Sequence, residues 1–161
     1  YCGIAECGVT DGGMKIFTSR YQNPELQSGN YTVVGITRGA PRFPLKYKLS
    51  GNIIEFAPPG YLFSENDRAV FTPKFFAHLD RVGIERAKSL LRPYLSFNKD
   101  IVLCCYEDVR IPDEWCHRLV FAEWWQARTG MAIPELQDSS TCKSGKKPEA
   151  QQKQMTLFDL L

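Results

Sequence analysis

Apolar positions along the chain fall into two patterns. Short runs rich in β-branched residues occur at Lys15-Ile16-Phe17-Thr18-Ser19, at Tyr31-Thr32-Val33-Val34-Gly35-Ile36-Thr37 and at Ile101-Val102-Leu103-Cys104-Cys105-Tyr106. Each has the length and character of a buried strand. Between the second and third runs the spacing becomes helical: Phe75, Phe76 and Leu79 share a side, Gly83 breaks the pattern, and Ile84, Ala87, Leu90 and Leu91 restart it. Thr72-Pro73 reads as an N-cap followed by proline at N1, and Pro93 ends or kinks the second helical segment. Residues 53–56 read as a short strand or an extended turn. After the third run, residues 107–112 form a polar connection. Asp113 then reads as an N-cap, with Glu114 in the first turn where the macrodipole favours a carboxylate. This helix is expected to run to about Thr129 and stop at Gly130, a normal C′ residue. Arg118, Gln126 and Thr129 fall near one stripe, while Val120, Phe121, Trp124 and Trp125 cover the rest, so the helix is largely buried.

Strands separated by helical or long irregular connections predict an α/β fold. We expect a mainly parallel sheet with flanking helices, Rossmann-like in three layers, over residues 14–136. The first thirteen residues, YCGIAECGVTDGG, have no usable period and read as an N-terminal extension. Residues 137–153 are rich in Ser, Lys and Gln and read as the start of a flexible tail, 137–161. The tail closes with an apolar cluster, Gln154-Met155-Thr156-Leu157-Phe158-Asp159-Leu160-Leu161, which a domain ending near Leu136 does not need as core.

Composition narrows the class. A chain of 161 residues suits one domain that builds its core without staples. No apolar run approaches a membrane span, so no membrane partner is expected, and no signal-peptide layout opens the sequence. A net charge of +2 is too small to imply nucleic-acid binding by itself, so any basic patch must be local. Three of the six cysteines fall between Asp100 and Gly130. That clustering suits thiols used as ligands, nucleophiles or core residues in a reducing, cytoplasmic setting, without disulfides at Cys104, Cys105 or Cys116.

Parallel strands would place their C-terminal ends on one sheet edge, where α/β proteins bind ligands. That edge would collect Ser19 and Arg20, Arg38 and Gly39, then Cys105 and Glu107. The opening turn of the last helix would add Cys116, His117 and Arg118. Arginine forks and helix N–H groups match phosphate oxygens, so Ser19, Arg20, Arg38, Gly39 and Arg118 are the candidate anion-binding residues. The alternative is solvated surface charge. Cys116, placed near N3 of the helix, is a candidate nucleophile, with Glu107 and His117 to move protons. Cys105, Cys116 and His117 also suit a metal site for zinc or iron, although their spacing matches no standard zinc finger. In the plainer reading Cys116 packs and His117 makes a structural hydrogen bond. Cys104 and Cys105 must face opposite sides of the sheet, so one of them is core. His78, on an amphipathic helix, reads as structural.

Three motifs in order carry a resemblance. Thr18-Ser19-Arg20-Tyr21 with Asn23-Pro24-Glu25-Leu26, then Val34-Gly35-Ile36-Thr37-Arg38-Gly39-Ala40-Pro41-Arg42-Phe43-Pro44, then Leu103-Cys104-Cys105-Tyr106-Glu107 with Trp115-Cys116-His117-Arg118 resemble the bacterial and phage family called domain of unknown function 488. The resemblance spans about 14–136. It implies an α/β domain with cysteine–glutamate and cysteine–histidine–arginine motifs as its hallmark, and it brings no reaction with it. Separately, Gln154-Met155-Thr156-Leu157-Phe158 is similar to the pentapeptide by which bacterial repair and replication proteins dock on the sliding clamp. Together these features suggest an enzyme acting on nucleic acid or a nucleotide, tethered to DNA replication or repair through Gln154, Leu157 and Phe158. The rival is a non-catalytic DNA-associated adaptor with structural cysteines.

Overall fold

The structure is a computed structural model that describes residues 9, 10 and 14–142. Its sheet has five strands: β1 (Val9–Thr10), β2 (Met14–Arg20), β3 (Tyr31–Gly35), β4 (Leu49–Asn52) and β5 (Asp100–Cys105), in the spatial order β1-β2-β5-β3-β4. β2, β5, β3 and β4 run parallel, and the two-residue β1 pairs antiparallel with the start of β2. The central position of β5 follows from its composition. Residues 101–105 are all buried, as a strand covered on both faces requires, and only a continuous apolar run satisfies that. The register pairs Arg20 with Cys105 and Gly35 with Cys104, so the C-terminal ends of β2, β5 and β3 share one edge, as expected.

Three helices follow: α1 (Arg68–Val82), α2 (Ile84–Leu91) and α3 (His117–Thr129). All three bury their apolar sides in one cluster with Ile16, Val34, Ile101 and Leu103 of the sheet. The alternate strand residues Val33, Val102 and Cys104 meet Tyr21, Leu26 and Leu136 on the other face, with Phe43, Tyr47 and Tyr106 packed around them. The molecule is therefore an α/β structure of three layers: helices, sheet, and a cover made of the 3-10 turn Pro24–Ser28 and extended segments.

Several element boundaries differ from expectation, each for a local reason. Asp67, not Thr72, caps α1, its carboxylate accepting from the Ala69 N–H at 2.9 Å. Phe71 lies four residues before Phe75 on the buried face, and the two rings pack at 5.1 Å. Burial of that pair carries the helix a turn ahead of Pro73, which sits inside it. Residues 53–56 are not a strand. Ile54–Phe56 is a 3-10 turn, and the strand is the preceding Leu49–Asn52, an edge strand whose Ser, Gly and Asn lack the β-branched signature. The second strand stops at Gly35. Asn52 then takes over from the ladder, accepting from the Thr37 N–H at 3.2 Å and donating to the Thr37 carbonyl at 2.5 Å.

The last helix shows the largest shift. Asp113 is not its N-cap: it holds the left-handed conformation at φ 66°, which aspartate tolerates. It lies in tight turns in which Ile111 N–H donates to the Asp108 carbonyl and Glu114 N–H to the Ile111 carbonyl. The N-cap is Cys116, so the cysteine expected near N3 stands at the helix mouth instead. At the other end Gly130 stops the helix in the left-handed conformation, as expected.

Gly35 marks a tight junction. A Cβ there would collide with the Tyr21 hydroxyl, which is bonded to Thr37 at 2.9 Å, and with the Asn52 side chain. Gly35→Ala should therefore destabilise the fold by about 1–3 kcal/mol, seen as a lower urea midpoint with an unchanged slope. An unchanged midpoint would show that this junction yields freely.

Candidate functional site

The site begins with strand alternation. Cys104 faces the extended cover, where burial pushes its thiol well above the ordinary range, so it is a core residue. Cys105 therefore turns toward the helices and meets the mouth of α3. Glu107 follows at the strand exit, and its Oε2 accepts from Cys105 Sγ at 3.3 Å. From the helix, His117 places Nδ1 3.4 Å from Cys105 Sγ and 3.8 Å from Cys116 Sγ. The opposite ring nitrogen, Nε2, lies 2.7 Å from the Ile36 carbonyl oxygen. A carbonyl can only accept, so Nε2 carries the proton and Nδ1 is the nitrogen turned to the thiols. Phe75 meets the imidazole edge-on at 6.1 Å and limits its rotation.

The whole group is buried: Cys105 is 0% exposed, Cys116 2%, His117 4% and Glu107 6%. Burial opposes ionisation of Cys116. The adjoining Cys105 side chain and the positive charge of Arg118 act against it, and the Cys116 thiol is held well below its ordinary range. Its place at the N-terminus of α3 acts in the same direction. Arg118 is also buried, and its Nε donates to both Glu135 oxygens at 2.9 and 3.1 Å. Burial works against the guanidinium charge, but Cys116 and Glu135 keep it firmly protonated. Glu135 is held in turn by the edge of β2, where Thr18 N–H donates to the Pro134 carbonyl and Leu136 N–H to the Thr18 carbonyl.

The expected anion site does not assemble from its three arginines. Arg20 donates to Asp138 at 2.6 Å and to Ser140 at 2.7 Å. Ser19 is buried, donating to the Arg20 carbonyl and accepting from Asn23. Arg118 is taken by Glu135. The Gly39 carbonyl accepts from Thr37 and Tyr106. Arg38 alone keeps an open fork: it is exposed, lies over the Phe63 ring at 4.8 Å and forms no ion pair among the described residues. The reason is that acidic residues after α3 fold back onto the domain, so the first part of the expected tail, through Ser140, is attached. Cys105, Glu107, Cys116 and His117 do converge, and Arg118 stands beside them. No disulfide links Cys104, Cys105, Cys116 or Cys142 among the described residues. Gln154, Leu157 and Phe158 lie outside the described residues.

Two groups escaped the sequence reading. Asp108 and Arg110 form a bidentate pair, and Arg110 also donates to the Asp138 and Ser140 carbonyls. An Asp-x-Arg turn was the available signal, but its partners lie some thirty residues on. The other group is a basic and aromatic face. His78 stacks on Phe75 at 6.0 Å, so His78 and His117 contact the same phenyl ring. Burial, assisted by the charges of Arg81 and Arg38, lowers the His78 pKa. Arg81 donates to the hydroxyl of Tyr61, which is 63% exposed. Comparison with protein-family models, with curated proteins and with solved structures finds no match in any of the three. The candidate site is defined by its geometry alone.

The Arg20–Asp138 attachment has a pH signature. Asp108 is held below the ordinary carboxylate range chiefly by hydrogen bonds from Arg110; at Asp138 burial pulls upward, but bonds from Arg20 and Ser140 prevail. A carboxyl depressed on folding stabilises the fold above its unfolded pKa, about 3.9, and the contribution is lost as pH falls through the lower folded value. Hydrogen exchange at the Leu136 amide, measured relative to Leu103, should therefore accelerate only below about pH 4. Asp138→Asn should accelerate it at neutral pH and cost about 1–3 kcal/mol. Full protection of Leu136 in that variant would remove the role given to Arg20.

Proposed function

We propose that this protein is an enzyme acting on a nucleotide or nucleic acid, with Cys105, Glu107, Cys116 and His117 as its reacting centre. The observation that carries the reading is the convergence of these four ionisable side chains, from two elements, at the C-terminal edge of a parallel sheet. Buried groups of this kind cost desolvation energy that apolar residues would not, and they concentrate where chemistry is done. Cys116 would act as the thiolate, while His117 Nδ1 and Glu107 would accept and return protons. Substrate would bind across Arg38, Arg81 and Tyr61, where arginine forks suit phosphate and an exposed ring suits a base. The connection 107–115 is built of turns rather than a helix, and its displacement would open Cys116 to that face.

The tail completes the proposal. Leu157 and Phe158 would anchor in the bacterial sliding clamp, with Gln154 adding directional hydrogen bonds, which would raise the local concentration of the domain at DNA. A specific observation favours the adaptor reading as well: cysteines this deeply buried are the inert kind. Binding of a fluorescent single-stranded oligonucleotide, with turnover assays on oligonucleotides and nucleotides, tests both readings. Arg38→Ala and Tyr61→Ala should each weaken binding about tenfold and leave the melting temperature unchanged, since both side chains are exposed. Cys116→Ser should retain binding and lose turnover. Binding without conversion by the wild type would support the adaptor, and no binding would exclude both. Deleting residues 151–161, or combining Leu157→Ala with Phe158→Ala, should abolish capture by a bacterial clamp without lowering the melting temperature. A truncated protein that melts several degrees lower would make the tail part of the core.

A further inference from the structure

We propose that Cys105, Cys116 and His117 bind one zinc ion through Sγ, Sγ and Nδ1, with Glu107 supplying a carboxylate oxygen as the fourth ligand. The inference concerns the same centre as the proposed function but does not rest on it: with zinc bound, Cys116 Sγ and His117 Nδ1 are ligands, and the thiolate and proton-transfer roles given to them there belong to the metal-free protein.

The donor distances suit zinc. Zinc bonds of about 2.3 Å to sulfur and about 2.0–2.1 Å to nitrogen or oxygen, arranged tetrahedrally, set donors roughly 3.6 Å apart for sulfur and nitrogen and roughly 3.8 Å apart for two sulfurs. Here Nδ1 lies 3.4 and 3.8 Å from the two sulfurs, and the three donor atoms all fall within 4.8 Å of one another. Glu107 Oε2, 3.3 Å from Cys105 Sγ, is close to the edge length for that one pair. Three donors therefore stand near tetrahedral spacing, and the Glu107 carboxylate, held against one of them, is the side chain placed to close the fourth position.

The imidazole is also oriented for a metal. A ligating histidine nearly always gives its other N–H to a carbonyl or carboxylate, which fixes the tautomer and aims the lone pair. The 2.7 Å bond from His117 Nε2–H to the Ile36 carbonyl is that arrangement, and it leaves Nδ1 for the metal. Adjacent residues Cys116 and His117 can both reach one ion because Cys116 is the N-cap, with extended backbone at φ −140°, while His117 begins the helix.

Charge and ligand softness favour the same ion. Two thiolates, an imidazole and a carboxylate suit zinc better than magnesium or calcium, which take oxygen. Zinc with two thiolates and a carboxylate carries one net negative charge, and the next residue is Arg118. Its buried Nη1 has no hydrogen-bond partner among the described residues, although Nε is satisfied by Glu135. An anionic metal centre would give that guanidinium a second counter-charge. On binding, the thiols lose whatever protons they still carry to solvent, and no electron is transferred.

The full chain, purified without added metal, should contain one zinc per molecule by elemental analysis. Protein stripped by chelator under reducing conditions should take up one equivalent of cobalt(II). The adduct should show thiolate-to-cobalt charge-transfer absorption and the strong visible bands of a tetrahedral site, and zinc should displace them. The triple variant Cys2→Ser, Cys7→Ser and Cys142→Ser should keep these bands, whereas Cys105→Ser and Cys116→Ser should lose the thiolate bands in part and bind at least tenfold more weakly. Should those serine variants not fold, the wild-type and triple-variant titrations decide on their own. Folded wild type that binds no cobalt, or bands lost from the triple variant, would overturn the proposal. Stoichiometric metal without turnover would leave the zinc site standing and remove the enzyme reading; turnover by protein that takes up no metal would do the reverse.

Discussion

The hydrogen bond from His117 Nε2–H to the Ile36 carbonyl is the constraint on which the candidate site depends. It ties the first residue of α3 to the chain just beyond β3, and so sets the distance between the helix mouth and the sheet edge. With that nitrogen committed, the imidazole can present only Nδ1 to Cys105 and Cys116. Phe75 packs against the ring from α1, so that helix and the chain beyond β3 both contribute to its orientation. Such a group is pre-organised by the fold rather than assembled by a ligand.

Charge burial explains much of the remaining architecture. A thiol held toward its ionised form inside a protein needs a cation nearby, and Arg118 is fully buried beside it. A buried guanidinium in turn needs a carboxylate, which Glu135 provides from a segment pinned to the edge of β2. That segment is secured further along by Arg20, Arg110 and Asn23, which together bind Asp138, Ser140 and the Gln137 carbonyl. Residues 134–140 thus belong to the support of the site. On the helix side, His117 and His78 contact the same Phe75 ring, and the charges of Arg81 and Arg38 act on His78.

Much of this was legible in the sequence, and the exceptions have physical causes. β5 announces itself because a strand buried on both faces needs an unbroken apolar run, and β2 and β3 through their short β-branched and aromatic stretches. Register then follows from parallel pairing, which is why Cys105, Glu107, Cys116 and His117 could be placed together in advance. β4 was missed because an edge strand can be built of Leu-Ser-Gly-Asn. The Thr72-Pro73 signal was misleading because the Phe71–Phe75 pairing outweighs local capping preference. Asp113 looked like a cap, yet its left-handed backbone places it in a turn and moves Cys116 to the helix mouth. The anion site failed on partners. Asp138 lies 118 residues from Arg20 and nothing local pairs the two, so the arginine appeared free until the chain was folded.

The central claim is that the fold holds His117 as its Nε2-protonated tautomer with Nδ1 directed at the two cysteines. Long-range proton–nitrogen correlation spectra of the imidazole test it directly. The account predicts a single slowly exchanging proton on Nε2, bonded to a carbonyl, and an Nδ1 without a proton at neutral pH. A proton found on Nδ1 with Nε2 bare, or a ring averaging between both forms, would contradict it, because Ile36 would no longer orient the histidine.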